Sequence, residues 1–271
     1  MASRVGQRRN AARRKVLPTA LVLLMAAGLV GEVWAAQQAS TKRVSVDSLG
    51  AQGIGDSEGP SISAHGRFVA FYSSAANLVG SDTNGARDVF VRDRKTGKTT
   101  RVSVNSHGAQ ANGESFAAPI SADGRFVAFL SSASNLVGGD TNGARDVFVR
   151  DRKAGKTRRV SVDSHGAQGN GDSFIPSISA DGRFVAFYSD AANLVAGDGN
   201  AAGDGFVRDR KAGRTKRVSV ASHGTQGNDT SFPPSISADG RFVAFTSLAN
   251  NLVAGDTNGA SDIFARGPLR P

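Results

Sequence analysis

The sequence contains no cysteine, and among its 271 residues there are only two methionines, two tyrosines and one tryptophan. The absence of cysteine excludes disulfide bonds, thiolate metal sites, thiol catalysis and a lipoprotein anchor on an acylated cysteine. After the N-terminal segment no window shows helical periodicity, which argues against helical folds. The hydrophobic fraction of 39% is low but supports a packed core.

The first 35 residues have the pattern of a signal peptide. Six basic residues between Arg4 and Lys15 precede an apolar stretch from Val16 to about Val30. Val33-Trp34-Ala35 then places short residues at positions −3 and −1 of a cleavage site. An uncleaved anchor is the alternative, but the apolar run is shorter than the ~20 residues a membrane span needs. The pair Arg13-Arg14 also loosely fits a twin-arginine export signal.

The basic character of the chain is concentrated in this leader. The formal net charge is +10, and residues 1–35 contribute +5 of it. The remaining charge does not by itself indicate nucleic-acid binding, and export argues against it. We therefore expect a secreted or periplasmic monomer without a membrane span after cleavage. Its partner would be an unidentified protein or an envelope polymer.

A strict 58-residue repeat organises residues 36–271. The sequence Gly-Arg-Phe-Val-Ala-Phe occurs unchanged at 66–71, 124–129, 182–187 and 240–245. A fixed period of this size is typical of solenoids and propellers. In chain order the four repeats cover about residues 43–100, 101–158, 159–216 and 217–271.

Each repeat predicts four short strands. In the first repeat these cover Ser61–Ser63, Arg67–Ser73, Asp88–Arg94 and Lys98–Val104, separated by turns rich in Gly, Asn, Asp and Ser. Four antiparallel strands per repeat are the content of one propeller blade. The sequence therefore predicts an all-β fold, a β-propeller of four four-stranded blades.

The N-terminal strand is expected to close the ring. The last repeat lacks the fourth strand, and the segment Thr41–Val46 has the sequence of that strand. Pairing of this segment with the strand near 262–266 would complete the last blade and cover free sheet edges. An open arc, or a dimer that forms an eight-bladed ring, is the alternative.

The repeat resembles a known family. The sequence Ser-Ala-Asp-Gly-Arg-Phe-Val-Ala-Phe at 121–129, 179–187 and 237–245 is similar to the Ser-Pro-Asp-Gly-Lys-x-Ile-Ala-Phe signature of TolB-like, WD-like propeller repeats. The likeness spans about residues 41–266 and includes the segment Asp140–Val149. It implies interaction scaffolding, often in the bacterial envelope. Ala replaces the usual Pro, His65 replaces the turn Asp, and many family members have six or more blades.

Each repeat also carries an Asp-x-Asn-Gly-x-x-Asp loop, whose oxygen ligands at alternate positions would suit Ca²⁺. The loop residues are Asp82, Asn84, Asp88, Asp140, Asn142, Asp146, Asp198, Asn200, Asp204, Asp256, Asn258 and Asp262. No bidentate Glu follows, which excludes an EF-hand. We favour turns in which the Asp and Asn side chains bond their own backbone, and we expect no cofactor, with calcium as the weaker alternative.

Basic residues cluster in the predicted outer hairpin of each repeat, for example Lys153 and Arg158. Such hairpins could attract an acidic polymer, lipid head groups or an acidic protein. Edge strands also carry Lys and Arg to prevent sheet-to-sheet pairing, and we favour this second interpretation.

No catalytic residue is assigned. His107, His165 and His223 occupy equivalent loops without a second histidine nearby, so we interpret them as turn residues. The segment Gly55–Gly59 matches Gly-x-Ser-x-Gly, but the strand-to-helix context of a nucleophile elbow is missing.

The nearly interchangeable repeats argue against one asymmetric active site. The sequence therefore predicts an exported, non-catalytic propeller that acts as a protein-interaction or ligand-binding scaffold. A polysaccharide-binding or polysaccharide-active propeller is the alternative, and a fragment of a larger propeller is a third possibility.

The signal-peptide pattern leads to a prediction about cleavage. Because the basic, apolar and small-residue regions follow in the order of a signal peptide, we expect cleavage between Ala35 and Ala36. N-terminal sequencing of the protein recovered outside the cytoplasm measures this. Recovery of the intact N-terminus in the membrane fraction would contradict it.

Overall fold

In a computed structural model that describes residues 39–269, the chain forms four consecutive antiparallel sheets. We call them blades one to four. The strands are β1 Ser57–Ile62, β2 Phe68–Ser73, β3 Asp88–Asp93, β4 Lys98–Arg101, β5 Ser115–Phe116, β6 Phe126–Ser131, β7 Asp146–Asp151, β8 Lys156–Arg159, β9 Ser173–Ile178, β10 Phe184–Ser189, β11 Asp204–Asp209, β12 Arg214–Arg217, β13 Ser235–Ile236, β14 Val243–Ser247 and β15 Asp262–Arg266. Blades one to three are four-stranded meanders, and blade four has three strands.

The core of each blade lies between its second and third strands. These strands are apolar on both faces, as β2 shows with the sequence Phe-Val-Ala-Phe-Tyr-Ser, and in blades one to three they are largely buried on both faces. One pair of phenylalanines faces each other across the two strands in every blade, for example Phe129 and Phe148, with ring centroids 5.7 Å apart. Such offset pairs add about 0.5–1.5 kcal/mol to the burial of their area.

Successive blades are joined by the glycine of the repeated Gly-Arg-Phe-Val-Ala-Phe sequence. Gly124 lies at φ +73° against the ring of Phe68 in the preceding blade, and a Cβ at this position would be 2.1 Å from the ring. Arg152 covers the same ring at 4.6 Å from the centroid. The amide of Ala64 in blade one also donates to the carbonyl of Ala122 in blade two at 3.0 Å. The same set of contacts recurs at the junction of blades two and three.

Among the described residues the four blades do not close into a ring, and ring closure stays a prediction. Within residues 39–269, β15 pairs only with β14, and no backbone hydrogen bond joins blade four to blade one. The N-terminal segment is bonded to blade one, where the carbonyl of Val46 accepts from Thr99 Oγ1 at 2.6 Å. Because blade one is not a neighbour of blade four, the segment does not complete the last blade.

The predicted signal peptide, residues 1–35, lies outside the described residues. The part of the chain that the structure covers contains no helix that could cross a membrane.

The blade junction can be tested at Gly124. We expect Gly124→Ala to lower the free energy of unfolding by about 1–3 kcal/mol more than Gly143→Ala, because the added methyl group meets the ring of Phe68. Gly143 is a matched control since it has a similar φ of +65° but no atom within 4 Å of the added Cβ. Urea unfolding measures both values, and equal losses would show that the ring contact contributes nothing.

Candidate functional site

In blades one to three the predicted loop connects the second and third strands. Its side chains form a buried network with residues at and just after the end of the fourth strand. In blade two, Asp146 at the start of β7 has no exposed surface. Its Oδ1 accepts a hydrogen bond from Ser161 Oγ at 2.5 Å, and its Oδ2 lies 3.3 Å from Arg159 Nε. Asn142 donates to Asp146 Oδ2 at 3.4 Å and to the carbonyl of Gly169 at 2.9 Å. The loop is thereby tied to the chain segment that follows the outer strand.

An arginine lies between the two aspartates of each of these loops. Arg101 Nη1 is 3.1 Å from Asp88 Oδ2 and 3.5 Å from Asp82 Oδ1, and both carboxylates also accept from Gln110 Nε2 at 2.8 Å. Arg159 and Arg217 take the same place in blades two and three. The guanidinium group therefore supplies the positive charge between carboxylates that a bound cation would otherwise supply.

The turn interpretation describes part of this geometry. Asn142 Oδ1 accepts from the backbone amide of Ala144 at 3.1 Å, and the equivalent asparagines do the same in the other blades. Asp88 and Asp146, however, bond side chains more than ten residues further along the chain as well as the asparagine of their own loop. The expectation that these loops bind no calcium stays a prediction.

Burial sets the protonation behaviour of the network. Burial raises the pKa of Asp146 above its usual range, and the hydrogen bond from Ser161 and the charge of Arg159 oppose this shift. Asp88 and Asp204 show the same direction for the same first cause. A buried charge that loses its partner costs about 3–5 kcal/mol, and the charge of Arg159 favours the ionised form of Asp146.

The loop of blade four differs from the other three. Asp262 Oδ2 accepts from Asn258 Nδ2 at 2.9 Å. No arginine or lysine among residues 39–269 forms an ion pair with Asp262 or Asp256, although every other blade has such a pair. The reason is topological, because blade four has no fourth strand to carry the arginine.

A basic groove of about 1210 Å³ lies between blades two and three. Its acidic lining residues are Asp151 and Asp181. Its basic lining residues are Arg125, Arg158, Arg159, Arg183, Arg208, Arg210 and Lys211.

Several of these cations are already engaged. Arg125 forms a bidentate pair with Asp151 at 2.7 Å and 2.9 Å, and this pair lowers the pKa of Asp151. Arg210 stacks over Phe126 at 4.5 Å. The side chains of Arg158 and Lys211 are exposed and form no ion pair within the described residues. These two side chains are therefore the exposed cations of the groove lining that form no ion pair among the described residues.

The other sequence candidates are at the surface. His107 and His165 are exposed, and their backbone amides donate to Asn105 at 2.9 Å and Asp163 at 2.8 Å in tight turns. Ser57 lies at the start of β1, where its hydroxyl donates to Ser73 Oγ at 3.0 Å.

The residues that sequence reasoning missed are the arginine and the glutamine of the network. Their signal was present, because Arg101 and Gln110 follow Asp88 at spacings that recur in the next two repeats. A basic residue at a fixed distance from a conspicuous pair of aspartates is a candidate counter-ion before a metal is considered.

The network makes a pH-dependent prediction. In Arg159→Met we expect the pKa of Asp146 in the folded protein to rise above its value in the unsubstituted protein, while in the unfolded chain it stays at about 3.9. Above the folded-state pKa the carboxylate is ionised, buried and unpaired, so we expect a loss of about 3–5 kcal/mol in the free energy of unfolding. As the pH falls through that pKa the carboxylate gains a proton and the loss shrinks.

Chemical unfolding at pH 7.5 and at about pH 5 measures this difference. Arg158→Met is the matched control, because the neighbouring side chain on the same strand is exposed, and we expect it to change stability by less than about 0.5 kcal/mol. A loss that is equal at both pH values would contradict the role given to Arg159.

No protein-family model matches the chain. No curated protein matches it either. Among solved structures it is similar to TolB of Acinetobacter baumannii, with 18% identity and a TM-score of 0.46 over 82% of this chain and 43% of that one. For a putative TolB of Agrobacterium tumefaciens the values are 16% and 0.47, over 79% of this chain and 66% of that one.

A prolyl endopeptidase structure is similar at 14% identity and a TM-score of 0.48, over 80% of this chain and 28% of that one. This chain thus spans less than two thirds of the length of each of these proteins. The solved structures similar to this chain thus include two TolB structures and the β-propeller domain of a protease from Pyrococcus furiosus.

Proposed function

We propose that this chain is an exported, non-catalytic scaffold that binds an acidic segment of a partner protein in the basic groove between blades two and three. The observation that carries the proposal is the pair of exposed cations in that groove, Arg158 and Lys211, neither of which has an acidic partner among the described residues. Acidic side chains of a partner would supply the missing counter-charges.

The groove also contains a strand edge along which a partner chain could lie. Blade two contributes part of the outer strand β8 and the loop around Gly166 to the lining. Blade three contributes Arg208 of β11 and, from the turn that follows, Arg210 and Lys211. A strand edge beside a line of positive charges suits an extended chain with carboxylate side chains, because charge complementarity steers and orients such a partner. The groove is polar, which favours a charged ligand over an apolar one.

The non-catalytic part of the proposal is supported by the state of the lining carboxylates. Asp151 is paired with Arg125, and Asp181 accepts from Ser179 at 2.6 Å and from the amide of Arg183 at 2.9 Å. General acid–base chemistry needs a carboxylate or histidine that is free to exchange a proton with substrate. Neither lining carboxylate is free in this sense, and the groove lining contains no histidine.

Binding of an acidic peptide tests the proposal. We expect a fluorescently labelled oligo-glutamate peptide to bind in low salt and to lose affinity as salt is raised. The double variant Arg158→Glu and Lys211→Glu should weaken binding about tenfold or more, a change of about 1.4 kcal/mol per factor of ten. Fluorescence anisotropy gives the dissociation constants.

The matched control is the double variant Lys95→Glu and Lys153→Glu. It makes the same change in net charge on exposed hairpin residues that do not line the groove. Equal weakening by both double variants would show that only the net charge matters and would overturn the groove site. Tighter binding of an acidic polysaccharide than of the peptide would replace the protein partner by an envelope polymer.

A further inference from the structure

The outer side of blade four exposes groups that the other blades bury. Ile263 in β15 is 74% exposed, whereas the equivalent residues of blades one and two, Val89 and Val147, have no exposed surface. In those blades the strand that follows covers this position, and the amide of Val160 donates to the carbonyl of Val147 at 2.7 Å. Within residues 39–269 no strand does this for Ile263.

The charges of blade four show the same gap. Asp256 and Asp262 have no cationic partner among the described residues. Arg43 and Gln52 occupy the positions in the repeat of Arg101 and Gln110, and they bond each other without any carboxylate. The aspartates of the network on blade four, Asp256 and Asp262, therefore lack their arginine and glutamine. The arginine and glutamine of the segment before blade one, Arg43 and Gln52, lack their aspartates. We call these two sets the acidic half and the basic half of the network.

A second surface on blade one is also open. Ile62 is 58% exposed, while its equivalents Ile120 and Ile236 are 8% and 9% exposed because the preceding blade covers them. The preceding blade also bonds the backbone there, since the amide of Ile120 donates to Ser61 Oγ at 3.2 Å.

On blade four, Phe242 is 44% exposed. It is the equivalent of Phe68, against which the glycine of the next blade packs.

Repeat proteins usually cover such outer surfaces with terminal units that carry polar residues. Blades one and four instead keep the same apolar residues as the internal blades, such as Ile62 and Phe242. The open surface of blade one and the open surface of blade four are complementary. Each has the residues of one side of the blade junction, and this junction occurs three times within the chain.

We propose that these surfaces bind a second copy of this chain head to tail, with blade one of one copy stacked on blade four of the other. The segment Ser40–Arg43 of the second copy, which has the position of β4 in the repeat, would pair along β15 as its fourth strand. Arg43 and Gln52 would then complete the network with Asp256 and Asp262, and Gly66 would pack on Phe242. Each contact has a counterpart within the chain.

A second copy fits better than the chain's own N-terminal segment. That segment is bonded to blade one, where the backbone carbonyl of Asp47 accepts from Arg92 Nη1 at 2.6 Å and Ser48 Oγ accepts from the amide of Thr99 at 3.1 Å. It therefore moves with blade one, which does not adjoin blade four in its own chain. A second copy brings its own blade one and this segment together, so it replaces the expectation of a monomer.

Head-to-tail contacts are heterologous, so two copies either close a ring through two junctions or continue into longer assemblies. Two copies of four blades would form an eight-bladed ring, which lies within the range of known propellers. In either case each junction joins two different surfaces, and this asymmetry can be tested.

The test uses two exposed substitutions, one on each surface. Arg43→Glu reverses the basic half of the junction, and Ile263→Arg puts a charge at the open edge of β15. We expect the unsubstituted protein to have at least twice the mass of one chain in light scattering, and each variant alone to be a monomer. An equimolar mixture of the two should recover a dimer, because each supplies the surface that the other lacks.

Ile175→Arg is the matched control, since Ile175 is a 55% exposed isoleucine on an internal blade, and it should keep the mass of the unsubstituted protein. A monomeric unsubstituted protein would overturn the proposal, as would either variant that stays a dimer alone. Failure of the mixture to associate would also overturn it. Circular dichroism of each variant confirms that the blades remain folded.

Discussion

The buried ion pair between the aspartate that begins the third strand and the arginine that ends the fourth is the interaction on which the rest of the structure depends. Asp146 has no contact with water, so it must be paired, and Arg159 supplies the charge. The same aspartate binds Ser161, and Gln168 binds Arg159, which fixes the path of the chain into the next blade. Blade geometry and blade connection are therefore set by one network.

The strand content of the fold could be predicted from the repeat because apolar runs such as Phe126–Ser131 and turn residues recur in register. The observed strands agree with the predicted ones to within a few residues, apart from an outer strand shorter at its C-terminal end. Ring closure could not be predicted in this way. It depends on the rotation between neighbouring blades, which is set by contacts such as Gly124 on Phe68, and strand patterning carries no information about that rotation.

The candidate sites were predicted less completely. The aspartates and asparagines of the loops were found because oxygen ligands around a glycine are a known pattern. Their true partners, Arg101 and Gln110, lie 13 and 22 residues after Asp88, and only the fold brings them together. The groove was missed for a similar reason, since it combines residues from two blades that no local motif connects.

The exposed surfaces of blades one and four follow from the regularity of the repeat. A network that crosses from one repeat to the next leaves an acidic half on one outer blade and a basic half on the other. Asp262 and Arg43 belong to these two halves. Apolar Ile62 and Phe242 are retained beside them, at a cost of about 25 cal/mol for each Å² of apolar surface left in water. A chain that keeps identical junction residues at both outer blades preserves the ability to form one more junction, and each junction it forms removes both the exposed apolar surface and the unpaired charge.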